Sequence, residues 1–336
     1  MDDKAGASPA WRLQHLLDGY VTTQLLYVAA KLDIAGVLAG GARSGQEIAE
    51  AVGADRRPLV RVLRGLVAEG VLAEEEGGRF ALTPVGEGLA SLRGAAIVRG
   101  GLYYHSAAGL LDTVLGRGTA FERAYGEPFF EYLSRHPDYE AEFQSSMAGR
   151  AEQEARDVVA VYDFGGLRSL VDVGGGRGIL LAEILRAVPG LRGVLMNRDS
   201  ALPMAGAHLE AEKVADRAEL VAADFFTMVP RGADGYLLSR VLHDWEDDNA
   251  VRILATCRQA MSPQSRLLIV EAILPDRAGD LPAAIRMDLQ MLLLLGARER
   301  TATEFRQLLD AGGFRFQHLV MTDSPAGLGV IEATPM

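Results

Sequence analysis

The stretch Ser169-Leu-Val-Asp-Val-Gly-Gly-Gly-Arg-Gly178 joins a short apolar run to a cluster of four glycines, and the apolar pattern Ile179 to Val188 follows it directly. The run predicts a strand, the glycines predict a tight turn, and the pattern after them predicts a helix. Such a turn brings bare backbone and the positive end of a helix dipole to a ligand, as nucleotide-cofactor loops do. A glycine turn without a ligand is the alternative interpretation.

The spacing of these glycines separates two classes of cofactor. In the dinucleotide fingerprint G-x-G-x-x-G the last gap is longer than it is here, and the acid Asp172 stands just before the first glycine of this chain. We therefore predict S-adenosylmethionine rather than NAD as the cofactor. The backbone at Gly174 and Gly176 is expected to lie against it.

Strand and helix patterns alternate from this loop to the end of the chain. The alternation predicts an α/β domain with a mostly parallel, doubly wound sheet and right-handed crossovers. Ligands of such sheets bind beyond the carboxyl ends of the strands, where the strand order reverses. The predicted strands are 169–173, 192–196, 218–221, 234–238, 265–270 and about 328–333, and the predicted helices are 178–188, 203–212, 247–261 and 301–313. The residues expected at those carboxyl ends are Gly174, Asn197, Asp224, the segment 239–245 and Glu271.

Polar and aromatic side chains follow two of these strands. The carboxylate of Asp224 can accept the amino hydrogens of adenine and the ring of Phe225 can cover the base, although a turn aspartate and a core phenylalanine would look the same. The segment Ser239-Arg-Val-Leu-His-Asp-Trp245 brings His243 to the crevice. A lone histidine is more often structural, but one at the end of a strand beside a cofactor loop is a candidate for acid–base chemistry.

Length and composition limit the classes of protein that fit this chain. Its 336 residues suit about two domains, and 49 % hydrophobic with 24 % charged residues is typical of a globular protein. The most apolar stretch, Leu289 to Leu295, is too short to span a bilayer. A net charge of −11 argues against a general nucleic-acid-binding protein, because phosphate contacts require a basic surface.

Cysteine content and the first residues bear on the cellular compartment. The single cysteine, Cys257, excludes an intramolecular disulfide and a cysteine-based zinc site. Met1-Asp-Asp-Lys4 lacks the apolar core of a signal peptide. These two features predict a cytoplasmic protein.

The N-terminal region begins with apolar residues at helical spacing from Trp11 to Gly40. Faces this broad favour burial against a second chain, so we predict a homodimer, with packing on the C-terminal half as the alternative. A helix at Ser44 to Val52, a helix at Arg56 to Glu69 and a hairpin at Val71 to Thr83 follow, and Gly77-Gly78 would form the turn. Helix, helix, hairpin is the order of a winged helix.

A winged helix can also belong to a DNA-binding regulator, whose second helix presents basic side chains to the major groove. Four arginines lie on that predicted helix, but four glutamates follow at once and would repel phosphate. We therefore favour a solvated helix face over DNA binding. The arginines are Arg56, Arg57, Arg61 and Arg64, and the glutamates are Glu69, Glu74, Glu75 and Glu76.

Further helices are predicted from Ala95 to Tyr162, and a stripe of aromatic residues runs along them. The stripe belongs to a core unless it faces the cofactor crevice, where it would line a substrate pocket. Gly165-Gly166 separates this helical half from the first strand of the sheet. We predict a winged-helix dimerisation domain over 1–100, a helical region contributing to the substrate pocket over 101–165 and a cofactor-binding domain over 166–336.

Six short motifs stand in order along the chain. They are Val171-Asp-Val-Gly-Gly-Gly-Arg-Gly178, Asp224-Phe-Phe226, Leu242-His-Asp-Trp245, Glu271-Ala-Ile-Leu-Pro275, Asp288-Leu-Gln-Met-Leu292 and Glu299-Arg-Thr301. Together they resemble the small-molecule O-methyltransferases typified by plant caffeate enzymes and bacterial antibiotic-pathway enzymes, over about Leu13 to Ile331. The resemblance implies a dimerisation domain followed by a Rossmann-like domain that binds S-adenosylmethionine and releases S-adenosylhomocysteine.

The resemblance also implies catalytic residues. His243 would be the general base that takes a hydroxyl proton as the oxygen attacks the sulfonium methyl group, and Glu271 and Glu299 match two acids that orient it. A histidine pKa near neutrality suits removal of a phenolic proton, and a nearby carboxylate stabilises the imidazolium that results. No metal is expected, because the sequence contains no clustered His and Asp motif.

Two predicted cofactor-binding positions depart from the pattern or refine it. The family usually has an acid at the end of the second strand that accepts both ribose hydroxyls, and Asn197 stands there. An amide has one acceptor oxygen, so we expect ribose binding that is weaker or rearranged, at a cost of about 1.5–3 kcal/mol. Ser239 stands where plant members carry lysine and anthracycline-pathway members carry serine, which favours an aromatic polyketide substrate from antibiotic biosynthesis.

Related proteins include members that keep the cofactor but catalyse hydroxylation, decarboxylation or a pericyclic step, and Asn197 keeps that alternative open. The presence of His243 with both partner acids favours O-methylation of an aromatic hydroxyl. Oxygen, carbon and nitrogen acceptors and the identity of the small-molecule substrate stay open. The residues predicted at the substrate pocket are Phe129, Phe143, Met147, Asp244, Met287 and Met291.

Overall fold

The structure, a computed structural model, describes residues 8–336 apart from the side chain of Ala148. These residues form two compact units. The first contains the chain up to Val114 together with Ala120–Gly149, and the second contains Leu115–Thr119 together with Arg150–Met336. The prediction made for Met1-Asp-Asp-Lys4 lies outside the described residues, and the predicted division at residues 100 and 165 stays a prediction.

The first unit is helical, with one small antiparallel sheet. Strands β1 (Arg43–Ser44), β2 (Leu72–Glu75) and β3 (Arg79–Leu82) lie in the order β1-β3-β2. The predicted helix, helix, hairpin order is observed, and the hairpin turns at Gly77 and Gly78 with φ of +77° and +70°, which glycine adopts without strain. The helices of this unit are Pro9–Leu17, Gly19–Lys31, Ile34–Leu38, Gly45–Val52, Arg56–Ala68, Pro84–Ser91, Arg93–Val98, Tyr104–Ala107, Leu110–Val114, Ala120–Tyr125 and Phe129–Arg135, with a π-helical segment at Arg99–Tyr103.

The helix Arg56–Ala68 is amphipathic, with buried apolar residues and exposed basic residues. Asp55 caps its N-terminus by accepting the backbone N–H of Arg57 at 2.9 Å. Leu59, Leu63 and Leu66 are buried in the core of this unit. The four arginines that could have served DNA binding are exposed, and one of them, Arg64, pairs with Glu74 at 3.3 Å.

Large apolar side chains of the first two helices are exposed in the single chain. They belong to the broad apolar faces that the sequence analysis predicts to be buried against a second chain. Examples are Leu16, 68 % exposed, and Tyr20, 59 % exposed. Trp11, Leu13, Leu17 and Val21 are also exposed.

The second unit is built on a mixed sheet of eight strands. The strands are β4 (Ser169–Val173), β5 (Arg192–Asn197), β6 (Ala218–Ala222), β7 (Gly235–Ser239), β8 (Arg266–Leu274), β9 (Arg300–Thr301), β10 (Phe314–Met321) and β11 (Leu328–Pro335). Their order is β10-β11-β8-β7-β4-β5-β6, with β9 paired to the end of β8. The strands from β8 to β6 are parallel, and β10 and β11 are antiparallel.

Both faces of this sheet are covered by apolar side chains. Along β4, Val171 and Val173 belong to one buried cluster and Leu170 belongs to the other. This alternation places residues of one strand on both faces, as helices on both sides of a sheet require. The helices of the unit are Ile179–Ala187, Leu202–Ala211, Asp247–Ala260, Pro282–Leu295 and Ala302–Ala311, with 3-10 turns at Asp199–Ala201, Ala215–Arg217, Leu242–Asp244 and Ala278–Asp280. The long helix Pro137–Val161 contains the boundary between the two units.

The α/β class and the mostly parallel sheet agree with the sequence prediction, but several features of this unit were missed. Strand β10 is antiparallel and lies at the edge of the sheet, where an exposed face weakens the apolar signal. The helix Pro282–Leu295 was not predicted, since it is apolar over much of its circumference. Strand β8 runs to Leu274, so Glu271 lies within the strand and not after it, as the predicted range 265–270 had implied.

None of the helices among residues 8–336 combines the length and the apolar content that crossing a bilayer would need.

Candidate active site

The strand order places two loops at one point of the sheet. The chain moves outward from β4 in one direction through β5 and β6 and in the other through β7 and β8, so the order reverses between β4 and β7. A Cβ atom at Gly174, just after β4, would lie 3.1 Å from Val241 after β7 and 3.5 Å from Phe225 after β6. The sequence predicted this meeting of the strand ends, and the structure brings all three together.

The glycine loop depends on backbone conformations that favour glycine. Gly174, Gly176 and Gly178 have φ of +75°, +56° and +76°. The N–H of Gly178 donates to the carbonyl of Gly175 at 2.8 Å, which closes the turn before the helix Ile179–Ala187. A Cβ at Gly176 would meet no atom within 4 Å, so the backbone there is open to a ligand.

Asp172 lies directly beneath this loop. A Cβ at Gly175 would be 2.3 Å from its Oδ2, so the carboxylate fills the space under that residue. Asp172 is buried, and neither of its oxygens has a hydrogen-bond partner within the part of the chain that the structure describes. Burial raises the pKa of Asp172 to about 7. The sequence indicated only that an acid precedes the glycines, not that it is unpaired.

Asn197 ends β5, as predicted. Its Oδ1 accepts the backbone N–H of Arg198 at 2.8 Å, and its backbone carbonyl accepts the N–H of Ala223 at 3.0 Å. The one acceptor atom of the side chain is therefore already engaged with the chain itself. The amide NH₂ is the group that Asn197 can offer to a ligand.

Asp224 and Phe225 follow β6. Asp224 is exposed, and its Oδ1 accepts the N–H of Phe226 at 2.9 Å, which leaves Oδ2 for another donor. The rings of Phe225 and Phe226 lie 5.0 Å apart, and Trp245 packs edge-on against both. Phe225 is thus half-buried and fixed at the rim of the crevice.

Ser239 is the last residue of β7 and is partly buried. The 3-10 turn Leu242–Asp244 follows two residues later and carries His243. The imidazole of His243 is buried, and its Nδ1 lies 3.0 Å from Oε1 of Glu299 in hydrogen-bond geometry. Its Nε2 lies 3.4 Å from Oδ1 of Asp244, whose side chain is 29 % exposed.

Glu271 fixes the turn that carries the histidine. Its Oε1 accepts the backbone N–H groups of Val241 at 3.0 Å and Leu242 at 2.9 Å, and that of His243 at 3.4 Å. Its Oε2 lies 3.8 Å from Nδ1 of His243. Both predicted acids therefore touch the histidine, but Glu271 acts mainly on the backbone and Glu299 on the ring.

Burial and neighbouring charges shift the pKa values of His243 and Glu299 in opposite directions. Burial alone would lower the pKa of His243, but the charges of Glu271, Asp244 and Glu299 outweigh it and raise the pKa to about 9. Burial raises the pKa of Glu271 to about 7. Burial acts to raise the pKa of Glu299, yet the hydrogen bond from His243 and the charge of Arg240 hold it below its usual range. The histidine pKa is thus well above the neutral value expected from the sequence.

Two arginines that the sequence did not single out complete the cluster. Arg300 is buried and donates to the carbonyls of Leu242 at 2.9 Å and Trp245 at 2.7 Å, while Asp247 pairs with its guanidinium at 2.7 Å. Arg240 reaches Glu299 from the other side, with Nη1 3.6 Å from Oε1. Their positions in the motifs Ser239–Trp245 and Glu299–Thr301 were the available signal.

His243, Glu271 and Glu299 form the kind of group that can surround a metal ion, with candidate ligand atoms within 4.8 Å of one another. Here Nδ1 of His243 is hydrogen bonded to Glu299, and the cation of Arg240 lies beside the same oxygen. The negative charge of the acids is therefore met by protein cations. The expectation of no metal stays a prediction.

The residues predicted at the substrate pocket are distributed over both units. In the first unit Phe129 is buried with its ring 5.3 Å from that of Phe143, and Met147 is partly buried. In the second unit Met287 is buried with its Sδ 3.5 Å from Arg150 Nη1, and Met291 is partly buried one turn later on the same helix. Asp244 lies at Nε2 of His243, and the pocket itself stays a prediction.

The glycine loop and the residues around it fit S-adenosylmethionine. The open backbone at Gly176 allows the close approach that such a ligand needs, and the carboxyl group of Asp172 lies beneath the loop without a partner among the described residues. A cation nearby would favour the ionised form of this group, so the position suits a ligand with ammonium and sulfonium groups. Asp224 and Phe225 stand at the end of β6, two strands from β4, with a free carboxylate oxygen and an aromatic face.

Two protein-family profiles match the chain. The O-methyltransferase domain matches residues 105–315, and the O-methyltransferase dimerisation domain matches residues 14–91. The first match alone covers more than half of the chain, and it contains every residue of the histidine cluster and the glycine loop.

Individual proteins are similar over nearly the whole chain. The phenazine O-methyltransferase PhzM of Lysobacter antibioticus is 41 % identical, over 100 % of this chain and 99 % of that protein. The phenazine-1-carboxylate N-methyltransferase of Pseudomonas aeruginosa is 31 % identical, over 95 % and 96 %. An O-methyltransferase of neocarzinostatin biosynthesis, solved with S-adenosylmethionine and 2-hydroxy-5-methyl naphthoic acid, matches with a TM-score of 0.80 at 33 % identity, over 94 % and 96 %.

Proposed function

The chain belongs to the O-methyltransferase family, and from that premise we propose that it methylates a hydroxyl group of an aromatic natural-product intermediate. Membership confirms the resemblance seen in the sequence and the methyltransferase activity that it implied. S-adenosylmethionine is the cofactor, as predicted, and when bound it supplies an electrophilic methyl group on a sulfonium centre. The aromatic acceptor is inferred from relatives that act on phenazines and naphthoates.

The residues that would hold the cofactor lie at the ends of four strands, β4, β5, β6 and β7. The backbone at Gly174 and Gly176 would lie against it, and Asp172 would supply the negative charge beneath the loop. Asp224 and Phe225 would receive the adenine, and Ser239 would line the side toward β7. Asn197 would face the ribose with an amide NH₂ in place of a carboxylate.

One observation supports His243 as the general base: its Nδ1 is held by Glu299, so Nε2 is the nitrogen left for a substrate proton. Asp244 lies at Nε2 now, and a substrate hydroxyl would take a place beside it. The ring accepts a proton only when neutral. Because its pKa is raised to about 9, we expect kcat/KM to rise about tenfold per pH unit up to that value.

The substitution His243→Ala tests this role. We expect kcat for a phenolic acceptor to fall by a factor of about 10²–10⁴, the usual contribution of a general base, while calorimetric affinity for S-adenosylmethionine stays unchanged. His318→Ala is the matched control, since His318 is half-exposed on the edge strand β10 and should keep full activity. Full turnover by His243→Ala would remove the base from the mechanism.

N-methylation is the second candidate, because one full-length relative is an N-methyltransferase. A ring nitrogen attacks through its lone pair and has no proton to lose, whereas a phenolic hydroxyl must lose one. His243→Ala would therefore leave N-methylation of a phenazine-type acceptor intact and lower O-methylation by that factor of about 10²–10⁴. Comparison of the two acceptors with the same variant distinguishes the candidates.

We also propose that the first unit forms a homodimer. The exposed apolar residues of its first two helices, among them Leu16 and Tyr20, lie within or beside the range matched by the dimerisation domain. Burial of such a surface in a second copy would remove apolar area from water.

A further inference from the structure

Arg240 directly follows β7 and has an unusual backbone conformation. Its φ of +55° lies in the left-handed region, which only Asp33 and Lys213 share among the non-glycine residues that the structure describes. Such a conformation persists where the surrounding structure fixes the residue. The N–H of Arg240 donates to the carbonyl of Val270 at 3.0 Å. Its side chain contacts Glu154 and Glu299.

One side of the guanidinium is held by Glu154 on the helix Pro137–Val161. Nη2 of Arg240 lies 2.6 Å from Oε1 of Glu154, and Nε lies 3.3 Å from Oε2. The two side chains are 14 % and 12 % exposed. A bidentate pair of this kind fixes the plane of the guanidinium as well as its position.

The other side of the guanidinium faces the catalytic cluster. Its Nη1 lies 3.6 Å from Oε1 of Glu299, the same oxygen that lies 3.0 Å from Nδ1 of His243. A single carboxylate oxygen is thus shared by the imidazole and the guanidinium. All three side chains are buried or nearly so, and charges in such surroundings are weakly screened.

We propose that Arg240, anchored by Glu154, is a positioning residue that controls proton transfer at His243 through Glu299. The inference rests on the proposed function, because it presumes that His243 takes the substrate proton. The guanidinium draws part of the negative charge of Glu299 to itself. Glu299 therefore stabilises the imidazolium less than it would alone, and the histidine releases its proton more readily for the next turnover.

Other charged and titratable groups from several elements lie around His243 and Glu299. Glu271 comes from β8, Asp244 from the histidine's own turn, and Arg150 and Glu154 from the helix Pro137–Val161. Asp288 on the helix Pro282–Leu295 accepts the backbone N–H of Glu299 at 2.8 Å. Removal of Arg240 takes a positive charge from beside Glu299, whereas removal of Glu154 takes away the negative charge that offsets Arg240.

Two substitutions therefore make opposite predictions. Arg240→Met removes a positive charge from Glu299, so the midpoint of the His243 titration should move up by about one pH unit. Glu154→Gln leaves Arg240 uncompensated, so the midpoint should move down by a similar amount. The readout is the NMR titration of labelled histidine in the full-length protein, assigned with His243→Ala, together with the rising, acid-side limb of the kcat/KM profile.

The matched control is a second arginine–carboxylate pair of the same unit. Arg168 and Asp234 are joined by bonds of 3.2 and 3.3 Å, but they lie where β4 and β7 begin, at the opposite ends of those strands from His243. Arg168→Met and Asp234→Asn should leave the His243 midpoint unchanged.

Each outcome of the experiment decides the proposal. Opposite displacements for Arg240→Met and Glu154→Gln, absent in the control pair, support it. A loss of activity without displacement of the midpoint, or displacement in one common direction, overturns it and assigns Arg240 a structural role. Absence of O-methylation by the wild type with opposite displacements would overturn the proposed function alone, since the NMR titration does not depend on substrate.

Discussion

The glycine loop and the histidine cluster lie at neighbouring strand ends, yet they are assembled in different ways. The loop occupies ten consecutive residues, 169–178, and works through its backbone. The cluster draws on Glu154, the turn around His243, Glu271 and Glu299, which are far apart in the chain, and it works through buried side chains. Local sequence therefore specifies the loop, whereas the cluster exists only when the sheet and two helices are in place.

The glycine loop and the histidine cluster also differ in how their buried acids are paired. Beneath the loop, the carboxyl group of Asp172 is buried and has no partner among residues 8–336, so burial alone raises its pKa. In the cluster, the acids are matched by the imidazolium and by Arg240. The space beneath the loop thus holds a buried acid without a paired cation among the described residues, which suits a cationic ligand, whereas the acids of the cluster lie beside protein cations.

The largest expected effect concerns the backbone role of Glu271. Glu271→Ala would leave the buried N–H groups of Val241 and Leu242 without an acceptor, so the free energy of unfolding should fall by about 3 kcal/mol. Glu271→Gln keeps a side-chain oxygen and should lose much less. Denaturant unfolding of both variants measures this, and equal losses would show that the charge, and not the hydrogen bonds, is what matters.

Glycine-to-alanine substitutions in the loop should lower the free energy of unfolding by amounts that depend on the position. A Cβ at Gly175 would press on the carboxylate of Asp172 at 2.3 Å, so Gly175→Ala should lower the free energy of unfolding by about 2 kcal/mol. Gly176→Ala meets no atom and should cost about 1 kcal/mol through its left-handed φ. Thermal unfolding compares them.

The control for the steric explanation is a double variant. Combining Gly175→Ala with Asp172→Ala removes the group that the new methyl would press on, so the two changes should be less damaging together than their sum. Additive losses would mean that Asp172 does not account for the requirement for glycine at this position.

The smallest expected effect concerns Asn197, the residue expected to face the ribose of the cofactor. In Asn197→Asp one carboxylate oxygen can still accept the N–H of Arg198 and the other becomes free for a ribose hydroxyl. Calorimetric affinity for S-adenosylmethionine and S-adenosylhomocysteine should rise about tenfold, the worth of one charge-assisted bond. Asn249→Asp, the same change on the helix Asp247–Ala260, should have no effect. Unchanged affinity in Asn197→Asp would mean that the ribose is held by other groups.

Sequence reasoning recovered the α/β class, the core parallel strands and the positions of Gly174, Asn197, Asp224 and His243 at strand ends. It did so because periodic apolar runs and glycine turns are local signals. It missed the antiparallel strand β10, since an edge strand buries only part of its residues, and it placed Glu271 beyond a strand that in fact continues. The roles of Arg240 and Arg300 were also missed, because a buried arginine has no pattern that separates it from an exposed one.

The family, the cofactor and the residues at each strand end follow from the amino-acid sequence alone, because they depend on short motifs in a fixed order. The tertiary structure decided what those residues do to one another. It gave Glu271 the backbone of the turn and Glu299 the ring of His243, and it joined Arg240 to the same carboxylate oxygen. Distances, burial and shared hydrogen-bond acceptors arise between residues that are remote in the chain, so no local pattern carries them.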